Sequence, residues 1–163
     1  IPIDDALQRI ESLYKPYHRA LRRLFSRLHR DFGAAVLVDC HSMPSTAGHK
    51  NERPRPEFVL GDRYGTSCVG VVAETVEKTL RSLGYTVSRN KPYAGGFITE
   101  HYGNPAAGLH AIQLEINRAL YMDERRYHRS AAFDHLAADL ETLARRLADI
   151  PLEQLRPYRA AAE

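Results

Sequence analysis

The chain of 163 residues has no apolar run approaching the roughly 18 residues that a bilayer-spanning helix needs. Its start also lacks the charged, apolar and small-residue pattern of a secretory signal. These two absences lead to the expectation of a soluble, cytoplasmic protein with no membrane partner. Cysteine is scarce: Cys40 and Cys68 share no CxxC spacing, which excludes a disulfide framework and a thiolate zinc site and leaves reduced, buried thiols. No RNA- or DNA-binding motif accompanies the net charge of +3. Acids and bases are intermixed, so the charge describes an arginine-rich helical surface and no nucleic-acid partner is expected. An initiator methionine is missing too, since the chain opens Ile-Pro-Ile, and a processed or excerpted piece is expected. What is present, 44% hydrophobic and 26% charged residues, suits one globular domain over residues 1–163 with a real core. Composition leaves the oligomeric state open.

Hydrophobic spacing supplies the element order. From Ile3 to Phe32, Leu7, Ile10, Tyr14, Tyr17, Leu21, Leu24 and Leu28 recur at steps of three and four, the period of an amphipathic helix, which Pro16 should kink or split. Gly33 reads as its C-cap, and the β-branched run from Ala34 to Asp39 reads as a buried strand. Residues 43–57 are rich in proline, glycine and charge, the signature of a long loop with room for function. Phe58 to Leu60 suggests a short strand. Thr66 and Ser67 are candidate N-caps for a helix carrying Val69, Val72, Val76, Leu80 and Leu83 and closed by Gly84, with a strand from Tyr85 to Ser88 after it. The segment Asn90-Lys-Pro-Tyr-Ala-Gly-Gly96 reads as a tight turn that exposes backbone. In Leu109 to Asn117, an extended chain turns His110, Ile112, Leu114 and Ile116 one way and Ala111, Gln113, Glu115 and Asn117 the other. Phe133 to Ile150 is helical by spacing, and Pro151 begins a last helix. Helices alternating with strands, without repeat or linker, predict a single α/β layer structure.

Few residues stand where chemistry could be done. His41 ends a hydrophobic strand, where open α/β sheets place their ligand sites, and Asp39, two residues earlier on the same side, could orient its imidazole. The alternative is a strand-end histidine satisfied by backbone. Glu115 lies on the polar face of an apolar strand, where carboxylates seldom stand without a partner; it reads either as a general base or as half of an ion pair with Arg118 or another arginine. Arg63 in LGDRYG and Arg118 in EINRAL follow strand ends or turns and could clasp a substrate carboxylate, or be solvated. The glycines of NKPYAGG could serve the turn alone, or Tyr93 and backbone N–H groups there could line a pocket. Cys40 and His41 are adjacent on a strand and point apart, so they form no nucleophile and base pair. Ser42 lacks the GxSxG elbow. His29, His49, His101, His110, His128 and His135 have neither HxxxH nor HExxH spacing; only His101, near the glycine turn, is a candidate pocket residue.

Together, YKPYH (14–18), VLVDCHSMPS (36–45), FVLGDRYGTSC (58–68), NKPYAGGFITEHYGNP (90–105) and LHAIQLEINRALYMDE (109–124) resemble the N-formylglutamate amidohydrolase family, in the family's order and over nearly the whole chain. The resemblance implies an α/β fold with a mixed sheet flanked by helices, like that of the zinc carboxypeptidases and acylases. It implies hydrolysis of N-formyl-L-glutamate, or a similar N-acyl amino acid, to formate and glutamate in histidine breakdown. It further implies Zn2+ as cofactor, His41 as a metal ligand and Glu115 as the base, with Asp39 behind the histidine and Arg63, Asn90, Tyr93 and Arg118 around the substrate. The family's remaining metal ligands would come from an N-terminal segment that has no counterpart here, so the chain is expected to be the C-terminal part of such a domain. Zinc catalysis needs about three protein ligands. The chain alone is therefore expected to hold zinc weakly and to show apolar patches where packing is lost. The alternatives are a related N-acyl amino acid or peptide amidohydrolase, or a binding module that kept the fold.

Overall fold

The computed structural model describes residues 1–46 and 56–157. A mixed sheet runs in the order β1 (Ala35–Met43), β4 (Leu109–Asn117), β2 (Phe58–Gly61), β3 (Val87–Arg89). β1 lies parallel to β4, β2 antiparallel to β4, and β3 parallel to β2. Helices α1 (Ile3–Arg9), α2 (Lys15–Phe32), α3 (Gly70–Ser82), α4 (Phe97–Tyr102), α5 (Phe133–Ala148) and α6 (Leu152–Leu155) flank it, with a small hairpin of β5 (Met122–Asp123) and β6 (His128–Arg129) before α5. No helix among the described residues is long and apolar enough to cross a membrane.

The alternation expected for β4 is borne out, with the same bounds, and it divides the two faces of the sheet. Ile112, Leu114 and Ile116 join Phe58, Leu60, Val72, Val76, Leu80, Leu136, Leu143 and Leu147 in the larger core, under α3 and α5. On the opposite face Ala111 packs with Ala35, Phe25 and Tyr102, beneath α2 and α4. Further along that face stand Gln113, Glu115 and Asn117, all buried. Apolar burial secures one side of the strand while the other carries a row of polar groups that must be hydrogen-bonded to be tolerated.

The first helix departs from its expected form in two ways. Proline offers no N–H and its ring crowds the carbonyl four residues back. Instead of a break, a π turn over Ile10–Tyr14 shifts the hydrogen bonding by one residue, so that Pro16 falls in the first turn of α2, where it is tolerated. The second departure concerns its inner face. The stripe read from the sequence is largely exposed among the described residues, with Leu7 at 54%, Tyr17 at 56% and Leu24 at 53%. Of that stripe Leu21 packs with Phe25 against Ala35 and Ala111 of the sheet, while the buried His18 is hydrogen-bonded to Tyr102 of α4. Among the described residues β1 pairs with a strand on one side only, and Leu28 at 40% and Phe32 at 50% are exposed beside its Val36 and Val38.

Other elements shift by a few residues. β1 continues through Cys40, His41 and Ser42 to Met43, and Cys40 is exposed on its outer side, not buried. Cys68 is buried as expected, and burial followed by the Asp62 charge pushes its thiol up to about 12. Thr66 and Ser67 do not cap α3, which begins at Gly70. Thr66 Oγ1 donates to the Arg63 carbonyl, and Ser67 Oγ donates to the Ala111 carbonyl at 2.8 Å, tying the turn to β4. The helix α4 was not foreseen, because its short sequence FITEHY carries no clear period.

His110 is the buried polar residue of the larger core face. Val69 N–H donates to its Nδ1 at 3.4 Å, and its Nε2 donates to the Leu155 carbonyl at 2.7 Å, so one neutral tautomer joins β4, the start of α3 and α6. Burial lowers its pKa below 6.5, against the smaller upward pull of the Leu155 carbonyl. The unfolded chain therefore takes up this proton first, and stability rises with pH across the window. The contribution is complete above 6.5 and is lost as pH falls toward the depressed folded value. Urea unfolding between pH 7.5 and 5 should show a loss of stability on acidification that is smaller in His110→Gln; an unchanged pH slope in that variant would remove His110 as its source.

Candidate active site

The parallel ladder between β1 and β4 sets His41 directly opposite Glu115 and Asp39 opposite Gln113. Cross-strand partners share a face, so four polar side chains stand together near the C-terminal ends of the two strands. His41 Nδ1 lies 4.0 Å from Glu115 Oε1, and His41 Nε2 donates to Asp39 Oδ2 at 3.0 Å. Asp39, two residues upstream, thus holds the ring through one hydrogen bond. Nδ1 of the ring lies on the side of Glu115. The histidine is half exposed while Glu115 is buried, at 7%: the carboxylate is held within the sheet and the imidazole opens to solvent.

The segment 90–96 closes over the same face because two glycines allow it. A Cβ on Gly61 would lie 2.4 Å from the backbone nitrogen of Gly95, a contact no side chain tolerates. Gly95 itself has φ 112°, a conformation that glycine reaches without strain. Gly61 is opposite Gln113 in the antiparallel ladder, so the turn comes down beside the polar row. Gly96 N–H then donates to Gln113 Oε1, and Gln113 Nε2 donates to Glu115 Oε1, both at 2.7 Å.

Arg63 joins this group. Its backbone N–H donates to the Ala94 carbonyl, its side chain passes beside Gly95, and its guanidinium lies 3.5 Å from the Glu100 carboxylate. Tyr93 is half-buried in the same turn. Asn90 ties this turn to the one after β2. Its Oδ1 accepts from the backbone N–H groups of Asp62 and Tyr64, its Nδ2 donates to Asp62 Oδ1, and it is buried with φ 60°. Arg118 donates to the hydroxyl and carbonyl of Ser42, a residue that alternates away from His41, and so it braces the strand end. His101 stacks on Phe97 and lies against His18 and Tyr102, away from the polar row. His49 falls outside the described residues.

Sequence reading passed over Asp62 and Gln113. Asp62 is fully buried and receives Arg89 and Asn90. Burial alone would raise its pKa, but the hydrogen bonds from Asn90 and Arg89 and the arginine charge outweigh it and hold the carboxyl below the usual range. The available signal was an acid beside a positive-φ turn in LGDRYG; Gln113 could have been found only as a polar neighbour of Glu115 on one strand face.

The residues do not by themselves fit a catalytic zinc. Among the described residues no three histidine, cysteine or carboxylate groups come together as a metal cluster, whereas such a site takes about three protein ligands. His41 has the form of a single ligand: its Nε2 is held by the Asp39 carboxylate, and its Nδ1 makes no hydrogen bond among the described residues, with Glu115 at 4.0 Å.

Comparison with known proteins follows this geometry. The profile of the N-formylglutamate amidohydrolase family matches residues 1–122, and the chain belongs to that family. It is 41% identical over 116 residues to the N-formylglutamate deformylase of Pseudomonas putida, covering 71% of this chain and 43% of the relative. It is 36% identical over 123 residues to that of Pseudomonas aeruginosa, covering 75% and 46%. Among solved structures, the crystal structure of N-formylglutamate amidohydrolase from Ralstonia eutropha JMP134 matches with TM-score 0.86 and 39% identity, over 90% of this chain and 54% of that one. A gene product of Agrobacterium tumefaciens, at TM-score 0.63 and 18% identity over 92% and 56%, shares the fold. The chain spans about half the length of the curated relatives it matches.

A ligand count of one gives a direct expectation. After dialysis the 163-residue chain should retain well under one zinc per molecule, because affinity comes from several ligands preformed together. Elemental analysis checks this; a stoichiometric, tightly held zinc would place the whole ligand set within this chain.

Proposed function

We propose that the full-length protein hydrolyses the formamide bond of N-formyl-L-glutamate, releasing formate and glutamate, with Glu115 as general base. The observation that carries the reading is the direct pairing of His41 with Glu115 across β1 and β4, at 4.0 Å. It is supported by membership of the family and by relatives named N-formylglutamate deformylase. In this reading Glu115 takes a proton from water as the water oxygen attacks the formyl carbon. The C–N bond then breaks, and the same carboxyl returns the proton to the departing amine nitrogen. Atoms balance: one water is consumed, and formate and the free amino acid leave.

The metal dependence that the resemblance implies is kept as a proposal with a defined share for this chain. His41 Nδ1 would be one zinc ligand, and the others would come from residues outside those described. When bound, zinc would supply a Lewis acid to the carbonyl and to water. The relationship to the zinc carboxypeptidases and acylases, a place in histidine breakdown and a cytoplasmic location belong to the same reading.

Arg63 takes the substrate side-chain carboxylate. Its guanidinium stands beside the glycine turn, paired among the described residues with Glu100, a contact that a substrate carboxylate would displace. Tyr93 flanks the same turn.

Glu115→Gln in the full-length protein should keep fold and metal content while turnover falls by at least about 100-fold. Formate release by the purified variant measures this, and near-normal turnover would make Glu115 structural. Arg63→Ala should weaken N-formylglutamate by about 1.5–3 kcal/mol more than a formyl amino acid without a side-chain carboxylate. Equal losses on both substrates, measured as kcat/KM, would show that Arg63 reads something else.

A further inference from the structure

Glu115 is reached through Gln113, which no part of the mechanism above uses. Gln113 stands two residues earlier on the same face of β4 and is 5% exposed. The two bonds of its amide have a fixed sense. Gly96 offers a backbone N–H, which can only donate, so the end of the amide that faces it at 2.7 Å is the oxygen. The NH2 end is thereby turned toward Glu115 and donates to Oε1 at 2.7 Å. Among the described residues Oε1 has this donor and the His41 ring as neighbours, while Oε2 receives no hydrogen bond.

The anchor of this chain of bonds is rigid. Gly96 follows Gly95, whose nitrogen is pressed against the Cα of Gly61 in β2, and Arg63 N–H holds the Ala94 carbonyl on the same segment. β2 is in turn bonded to β4, with Gly61 opposite Gln113. The turn, the amide and the carboxylate therefore form one connected unit, seated on two strands. A glutamate side chain with three rotatable bonds would otherwise sample several positions, and a displacement of about 1 Å at a reacting group can cost roughly 100-fold in rate.

We propose that Gln113 is a positioning residue that transmits the placement of the Gly95-Gly96 turn to Glu115. It pins one carboxylate oxygen and leaves Oε2 as the proton acceptor. The proposal rests on the reading of Glu115 as the base. It also gives the glycine turn a second role beside covering that face of the sheet, since any shift of Gly96 is felt at Glu115 through two hydrogen bonds.

The test is a double-mutant cycle in the full-length protein. Gln113→Met keeps length and approximate volume and removes both hydrogen bonds. It should lower kcat by about 10-fold or more with KM within twofold, and in a Glu115→Gln background the same change should alter kcat by less than twofold, because the group it positions has gone. Gly96→Ala gives a second route that leaves Gln113 in place. Its Cβ would lie 3.1 Å from Gln113 Oε1, and the kcat loss should be similar and likewise absent in the Glu115→Gln background. Gln113→Met with unchanged kcat, or losses of equal factor in both backgrounds, would overturn the positioning role while leaving Glu115 as base. A Glu115→Gln variant of normal turnover would overturn both.

Discussion

The parallel pairing of β1 with β4 is the contact on which the rest depends. Its register runs unbroken from Ala35 opposite Leu109 to Met43 opposite Asn117, and a slip by one residue would turn His41 to the opposite face from Glu115. The register is held by burial on both faces. Val36 and Val38 meet the core that contains Ile112 and Leu114, while Ala35 and Leu37 meet Ala111, Phe25 and Tyr102. The apolar alternation that stabilises the sheet is therefore also what brings an imidazole and a carboxylate to one place.

Polar groups buried on the other side of that alternation are tolerated because each is bonded. Gln113 and Glu115 satisfy one another and the Gly96 N–H; Asp62 is enclosed by Arg89, Asn90 and the turn after β2. Such networks are costly when half made and rigid when complete. The turns 61–65 and 90–96 are thus fastened to the sheet by polar contacts, and Asn90 locks one loop to the other.

Seen from the other side of β1, the molecule has a different character. Its backbone edge and the stripe of Leu7, Ile10, Tyr14, Tyr17 and Leu24 on α1 and α2 are exposed among the described residues. An open edge with apolar surface next to it is a surface that proteins ordinarily cover.

Much of this was legible in the residues alone. The period of two in LHAIQLEIN gave β4 its bounds and its two faces, since alternation is a local property of an extended chain. The spacing of Val72, Val76 and Leu80 likewise marked α3, and the placement of Asp39 on the side of His41 followed from the same alternation. Local pattern could not say which strands are neighbours or which face of the first helix is covered, and so the stripe read as core is largely exposed while His18 and Phe25 are buried. It could not tell a substrate-facing asparagine from one that bonds a distant aspartate, because Asn90 and Asp62 meet only after β2 and β3 pair. By itself the sequence determined the four strands of the main sheet, the longer helices and the residue types able to act as base and ligand. Tertiary structure alone decided that β1 and β4 run parallel in the register that sets His41 opposite Glu115, and that Gln113 carries the glycine turn to that carboxylate, because contacts between residues far apart in the chain arise from packing, which no local period encodes.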